Sequence, residues 1–211
     1  MIAALVGLSC AGIASAAPLS GSFNLLDPSM YTITATPLNS AELRGGADPT
    51  WYSAITGPYN AFAAATGNVG LDDYGTAATD DIQVTSWRFV GGVDQVGGTM
   101  SFQFFDSDSQ FVDSFGVALP QAGAFIWTIT IGSGLTIPAN GIVQAVVGED
   151  FTGRWFLGAT APEIGTNDNT FGGANGGALS HRFEINGILV PTPGAMAVLG
   201  LAGLAATRRR R

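Results

Sequence analysis

Hydrophobic and β-branched residues occur along this chain in short runs that are separated by clusters of Gly, Asn, Asp and Pro. This pattern is typical of an all-β domain, and the apolar positions show no helical periodicity. We therefore predict eight strands. They cover residues 31–36, 82–90, 99–105, 111–119, 125–131, 141–147, 154–157 and 181–185.

The run 82–90 carries apolar residues on both of its faces, which is expected where both sides of a strand are partly covered. Two packed sheets fit this pattern better than one. The prediction is an antiparallel β-sandwich with jelly-roll-like connectivity. The alanine-rich stretch 41–65 predicts one short helix around residues 59–65.

The N-terminus has the features of an export signal. Residues 2–14 are apolar and small, and Ala14-Ser15-Ala16 forms the A-x-A pattern that a signal peptidase prefers before Ala17. We predict a signal helix over residues 1–16. Cys10 is the only cysteine and lies inside this segment, so the mature chain is expected to form no disulfide and to use no cysteine ligand or nucleophile.

The C-terminus combines an apolar segment with a cationic end. Residues 195–206 contain no polar side chain, and the chain closes on Arg208, Arg209, Arg210 and Arg211. A helix of this length covers only about 18 Å, whereas a stable membrane span needs about 20 residues. Pro191 and Pro193 would break a longer helix. The segment is thus a marginal anchor, with its arginines on the cytoplasmic side and the body outside.

The order Val190-Pro191-Thr192-Pro193, apolar helix and terminal arginines resembles the PEP-CTERM sorting signal of exported bacterial proteins. The resemblance implies recognition and processing by a membrane-embedded exosortase, with transient insertion of the tail in the inner membrane. Thr192 replaces the usual glutamate, a departure that bears on the efficiency of processing. An ordinary short anchor stays open as the alternative. With its segments 87–93, 102–106 and 125–129, the body is similar to the uncharacterised β-sandwich bodies that often accompany this signal, a resemblance that implies no activity.

Charge excludes one class of partner. Between the two terminal segments the chain has four arginines, no lysine and 16 acidic residues, a formal charge of −12. Such a surface repels phosphate backbones, so we expect no nucleic-acid partner. An acidic surface also keeps an exported protein soluble.

Two pairs of aspartates, Asp72-Asp73 and Asp80-Asp81, form a candidate calcium site because Ca²⁺ prefers several oxygen ligands. Aspartates are equally common in β-turns, where they accept hydrogen bonds from their own backbone. The two interpretations stay open, and a structural Ca²⁺ is the only cofactor that the sequence suggests.

No catalytic motif is found. His181, the only histidine, opens the last predicted strand, and the sequence has neither a G-x-S-x-G nor an H-E-x-x-H motif. We interpret His181 as a solvent-facing or hydrogen-bonded strand residue. Trp51-Tyr52, in a predicted loop, is the candidate surface for stacking against a sugar ring.

The sequence therefore predicts a signal peptide over 1–16, a β-sandwich domain over 17–187 and a sorting tail over 188–211. We expect an exported, non-enzymatic protein of the cell surface or extracellular matrix, anchored transiently or permanently through its tail, with exopolysaccharide as a candidate partner. A lectin-like, Ca²⁺-dependent carbohydrate-binding module is the alternative. A polysaccharide hydrolase, which needs only two suitably placed carboxylates, is the third hypothesis.

Overall fold

The computed structural model describes residues 19, 25–38, 48–59, 61–65, 68–132, 134–167 and 179–191. This part of the chain forms β-strands and one short 3₁₀ helix, Pro28–Met30. None of its helices is long and apolar enough to cross a membrane. The strands are β1 (Tyr31–Thr36), β2 (Thr50–Ser53), β3 (Ala61–Ala65), β4 (Asn68–Gly75), β5 (Asp81–Val93), β6 (Thr99–Phe105), β7 (Phe111–Ala118), β8 (Phe125–Ile131), β9 (Thr136–Ile137), β10 (Asn140–Val147), β11 (Gly153–Gly158), β12 (Ser180–His181) and β13 (Phe183–Val190).

The strands form two antiparallel sheets, so the predicted all-β, sandwich-like fold is confirmed. The larger sheet is built around the long strand β5, which pairs with β8, β9, β11 and β13. At its margins β1 pairs with β8, β2 with β13, and both β3 and β12 with β11. The smaller sheet has the order β4-β10-β6-β7.

Strand β5 changes the face that it presents to the core. Ile82 and Val84 belong to the core in its first part, whereas Trp87 and Phe89 belong to it in the second. Side chains alternate along a strand, so this sequence requires an irregularity between residues 84 and 87. The register of β13 against β5 shifts at the same level, between Asn186 and Gly187.

Aromatic side chains fill the space between the sheets. Trp87 stacks on Phe183 with ring centroids 5.0 Å apart, and it meets Phe104 edge-on at 5.4 Å. Phe102 contacts Phe89 at 4.9 Å. All five side chains are buried. Aromatic pairs in these geometries add to the stabilisation that comes from burial alone.

All eight predicted strands have a counterpart in the structure, although Arg182 divides the one expected at 181–185 between β12 and β13. The helix expected at 59–65 is wrong. Residues Ala61–Ala65 form β3, which is hydrogen-bonded to β11. The last strand is also longer than expected. β13 runs to Val190, three residues beyond the end expected for the domain, and Val190 pairs with Asp81.

Several expectations fall outside the residues that the structure describes. These are the signal helix with Ala14, Ala16 and Ala17, and the part of the tail that holds Thr192, Pro193 and Arg208 to Arg211. Val190 and Pro191 are described, and Pro191 is exposed directly after β13. β13 thus reaches Val190, the first residue of the predicted sorting motif.

Candidate functional site

Two dipeptides place polar side chains on both faces of the larger sheet. Tyr52-Ser53 lies in β2, and His181-Arg182 spans the junction of β12 and β13. Because neighbouring strand residues point to opposite faces, Tyr52 and His181 face the space between the sheets. Ser53 and Arg182 point the other way. We call Tyr52, Asp72 and His181 the inner cluster.

Asp72 holds the inner cluster together across the two sheets. It lies on β4 of the smaller sheet, and its Oδ2 accepts a hydrogen bond of 2.5 Å from the backbone N–H of His181. Its Oδ1 accepts from the N–H of Asp73 at 3.0 Å. Burial raises the pKa of the Asp72 carboxyl well above its ordinary value, and the His181 N–H donor only partly opposes this effect. Burial therefore favours the neutral acid more strongly here than at an exposed aspartate.

The His181 ring is packed as a core side chain. It stacks on the Trp155 indole with centroids 4.0 Å apart and an angle of 14° between the planes. The imidazole also lies against Gly70, where any side chain would overlap it. Burial lowers the pKa of His181 to about 3, although the carbonyls of Trp155 and Phe156 act in the opposite direction. His181 is thus a neutral, buried strand residue.

Tyr52 completes the inner cluster. Its ring stacks on Phe183 at 4.6 Å and has no exposed surface. Its hydroxyl has no hydrogen-bond partner in the described part of the chain. Burial raises the pKa of Tyr52 well above its ordinary value, and the nearby Asp72 and Asp73 raise it further. All three members of the inner cluster consequently favour their neutral forms.

The other face of the larger sheet carries a paired network, which we call the outer cluster. It consists of Ser53, Arg88, Thr128, Glu184 and Asn186. Arg88 Nη1 donates to Glu184 Oε1 at 3.1 Å, and its Nε donates to Thr128 Oγ1 at 3.2 Å. Asn186 Nδ2 donates to the same Glu184 oxygen at 3.0 Å, and Ser53 Oγ lies 3.0 Å from Oε2. Four neighbouring strands, β2, β13, β5 and β8, are thereby joined.

Arg182 fixes the segments that lie beside the outer cluster. Its Nη1 donates to the Ala54 carbonyl at 2.8 Å, while Nη2 donates to the carbonyl and hydroxyl oxygens of Thr160 at 3.0 and 2.8 Å. The guanidinium lies against Gly158, which has no side chain to exclude it. Burial lowers the pKa of Arg182, and the carboxylate of Glu163 opposes this effect.

These two clusters can cross-link strands, but their burial leaves no reacting group in contact with solvent. A general base needs a pKa near the working pH and a path to its substrate. His181 has neither, since it is buried and its pKa is about 3. The arrangement therefore fits a structural role.

The four aspartates of the candidate calcium site are not gathered by the fold. Asp72 and Asp73 occupy neighbouring positions on β4, and only Asp72 is fully buried. Asp80 lies 3.3 Å from the Thr79 hydroxyl, and Asp81 is exposed at the start of β5. In the described ranges, no group of three or more His, Cys, Asp or Glu side chains could hold a metal ion.

The candidate sugar-stacking pair is not a surface loop. Trp51 and Tyr52 lie in β2, and Tyr52 is a core residue. Trp51 keeps part of its surface exposed, and its Nε1 donates to the Gly187 carbonyl at 2.9 Å. Only one aromatic ring of the predicted pair is therefore accessible.

In comparisons with known proteins, no protein-family model and no curated protein matches the chain.

The inner cluster was missed by sequence reasoning. The sequence suggests a turn or a metal site for Asp72 and a solvent-facing or hydrogen-bonded strand position for His181, although their contact joins residues 109 positions apart. A lone histidine next to an arginine in an apolar strand was the only available signal. It did not identify the partner.

Proposed function

We propose that the protein is an exported, non-enzymatic component of the cell surface or extracellular matrix, delivered by a PEP-CTERM-like tail. The observation that carries this proposal is the pairing of β13 with β5 up to the first residue of the predicted motif. β13 stays paired with β5 as far as Val190, and Pro191 follows directly. The predicted motif therefore follows a paired strand with no intervening segment in the sequence, which supports a sorting signal joined directly to its cargo.

The tail itself supports transient insertion in the inner membrane. Its twelve apolar residues, 195–206, are too few for a stable span of about 20 residues. Four terminal arginines would stay on the cytoplasmic side. An exosortase-type enzyme is the proposed partner there, and a signal peptidase is the proposed partner at Ala17.

The burial of the polar clusters supports a non-enzymatic body. Tyr52, Asp72 and His181 are at most 3% exposed. The hydrogen bond from the His181 N–H to Asp72 joins the two sheets, and the burial of the cluster offers no exposed charged group to a substrate. Binding to exopolysaccharide remains the proposed task of the surface. The proposal also includes jelly-roll connectivity of the body, a signal helix at the N-terminus and a short helix at the C-terminus.

Mass spectrometry of the mature protein tests the proposal. Expressed in a host that has an exosortase, the protein should begin at Ala17 and lack Arg208 to Arg211. A Pro191→Ala/Pro193→Ala variant should keep its arginines and stay in the membrane fraction. The matched control, Pro162→Ala in the body, should be processed as the wild type is. An intact Arg211 on the mature wild-type protein would overturn processing of the tail.

A further inference from the structure

The end of the sandwich at which β13 terminates carries a concentration of exposed apolar side chains. Ile188 and Leu189, at the end of β13, are 45% and 36% exposed. Phe111 and Val112, at the start of β7, are 38% and 42% exposed. We call these four residues the apolar rim. Large apolar side chains that are exposed together mark surfaces that contact a partner or a membrane.

The two halves of the apolar rim lie at the same end of the molecule. Ile188 pairs with Gln83 near the start of β5, and Gln83 also pairs with Thr136 of β9. The Thr136 N–H donates to Asp113 Oδ2 of β7 at 3.3 Å. Asp113 is two residues from Phe111, so β7 begins at the level where β13 ends.

The length of the connection limits how far this end can lie from the tail. Four residues, 191–194, separate Val190 from the first residue of the apolar segment, Ala195. Five extended steps of about 3.3–3.6 Å each span at most about 18 Å. The headgroup region takes up about 5–8 Å of that distance. When the tail is inserted, the apolar rim is therefore close to the lipid surface.

We propose that the apolar rim contacts the surface of the bilayer while the tail is inserted, so that the body stands on the membrane by this end. The occupant is a lipid surface, and the inference rests on the proposed membrane insertion of the tail. Trp51 supports this contact. Its indole donates a hydrogen bond to the carbonyl of Gly187, next to Ile188, and part of its surface is exposed. Tryptophan is enriched at membrane interfaces.

Acidic residues at the same end of the molecule determine which headgroup charge is compatible with this contact. Asp81 pairs with Val190, and Asp108 lies in the hairpin that precedes Phe111. Both are exposed. Anionic headgroups would repel these carboxylates, so zwitterionic phosphatidylcholine is the appropriate test surface.

Site-specific fluorescence in the full chain tests the contact. A Cys10→Ser background contains no other cysteine. Single variants Leu189→Cys and Val112→Cys, labelled with an environment-sensitive dye, report on the apolar rim in phosphatidylcholine nanodiscs. Val96→Cys is the matched control. Val96 is an apolar residue that is 69% exposed beyond the other end of β5, about 40 Å away at about 3.3 Å per residue.

Nitroxide lipids labelled at the headgroup should quench the dyes at 189 and 112 at least about twofold more than the dye at 96. Equal quenching at all three positions would overturn the membrane contact. Val198→Cys separates this result from failure of the proposed function. If its thiol is protected from a membrane-impermeant maleimide, the tail is inserted and only the contact is at issue. If it reacts freely, insertion itself is wrong, and the membrane contact is overturned with it.

Discussion

The inner and outer clusters lie on opposite faces of the same sheet and accommodate buried polar groups in different ways. In the inner cluster, burial shifts the pKa values of Asp72 and His181 towards their neutral forms. In the outer cluster, a guanidinium and a carboxylate are paired at 3.1 Å and share further hydrogen bonds. On the inner face, burial therefore disfavours charged side chains. On the outer face, a buried positive charge is paired with a buried negative charge. The two solutions should respond differently to mutation and to pH.

The largest effect is expected when the outer pair is broken. Glu184→Ala leaves the Arg88 guanidinium buried without its carboxylate. Removing one member of a buried ion pair costs about 3–5 kcal/mol of unfolding free energy. Urea unfolding followed by tryptophan fluorescence measures this loss.

The control for Glu184→Ala replaces both charges. An Arg88→Met/Glu184→Leu variant has no unpaired charge, and it should recover most of the stability that the single variant loses. A single variant that loses less than about 1 kcal/mol would show that the pair is solvated, and that the two faces do not differ as described.

A smaller loss is expected from crowding the inner cluster. A methyl group in Gly70→Ala would overlap the His181 imidazole, which is also stacked on Trp155 and could move only by breaking that contact. Overpacking of this kind costs about 1–3 kcal/mol. The same change in a His181→Ser background should cost much less, since the ring is gone. Equal losses in the two backgrounds, measured by thermal unfolding, would exclude the contact as the cause.

Much of the fold is predictable from sequence because many strands carry β-branched and aromatic residues. The segments 31–36, 99–105 and 125–131 have the predicted bounds. Ala61–Ala65 contains four alanines and a single aromatic residue, a composition that favours a helix. Its conformation is set by pairing with β11, which lies about ninety residues later in the chain. A local pattern does not contain that information.

The site could be predicted only in part, for a related reason. Asp72 looks like a turn or metal-binding residue when it is read beside Asp73. Its burial depends on β4 facing β12, and its bond to the His181 N–H crosses between the two sheets. The shifted pKa values follow from that long-range packing. The residues next to Asp72 in the sequence do not indicate this packing.

The shifted pKa of His181 should make the unfolding free energy depend on pH, by about 1.4 kcal/mol per pH unit. Between pH 6.5 and about pH 3, the unfolded chain binds a proton at His181 that the folded protein does not bind. Stability from this residue is therefore lost as the pH falls below 6.5. In His181→Gln the unfolding free energy should decrease less steeply on acidification, by up to that slope. Parallel curves from denaturant titrations at pH 6.5, 5.5 and 4.5 would contradict a neutral, buried His181.

Asp72 should affect the dependence of the unfolding free energy on pH in the opposite direction to His181. The slope that it contributes should not exceed about 1.4 kcal/mol per pH unit. Its pKa is raised above the ordinary 3.8. Its stabilisation is thus complete below pH 3.8 and is lost as the pH rises through the raised pKa. Asp72→Asn lacks that loss, so its unfolding free energy should rise more steeply with pH than that of the wild type.

The double variant His181→Gln/Asp72→Asn is the control for both pH predictions. From about pH 4 up to the raised pKa of Asp72 the two slopes have opposite signs, so the curve of the double variant should lie between the curves of the two single variants. A double variant that keeps the slope of either single variant would show that only one of the two groups titrates abnormally. The inner cluster would then contain a charge, and its contrast with the outer cluster would fail.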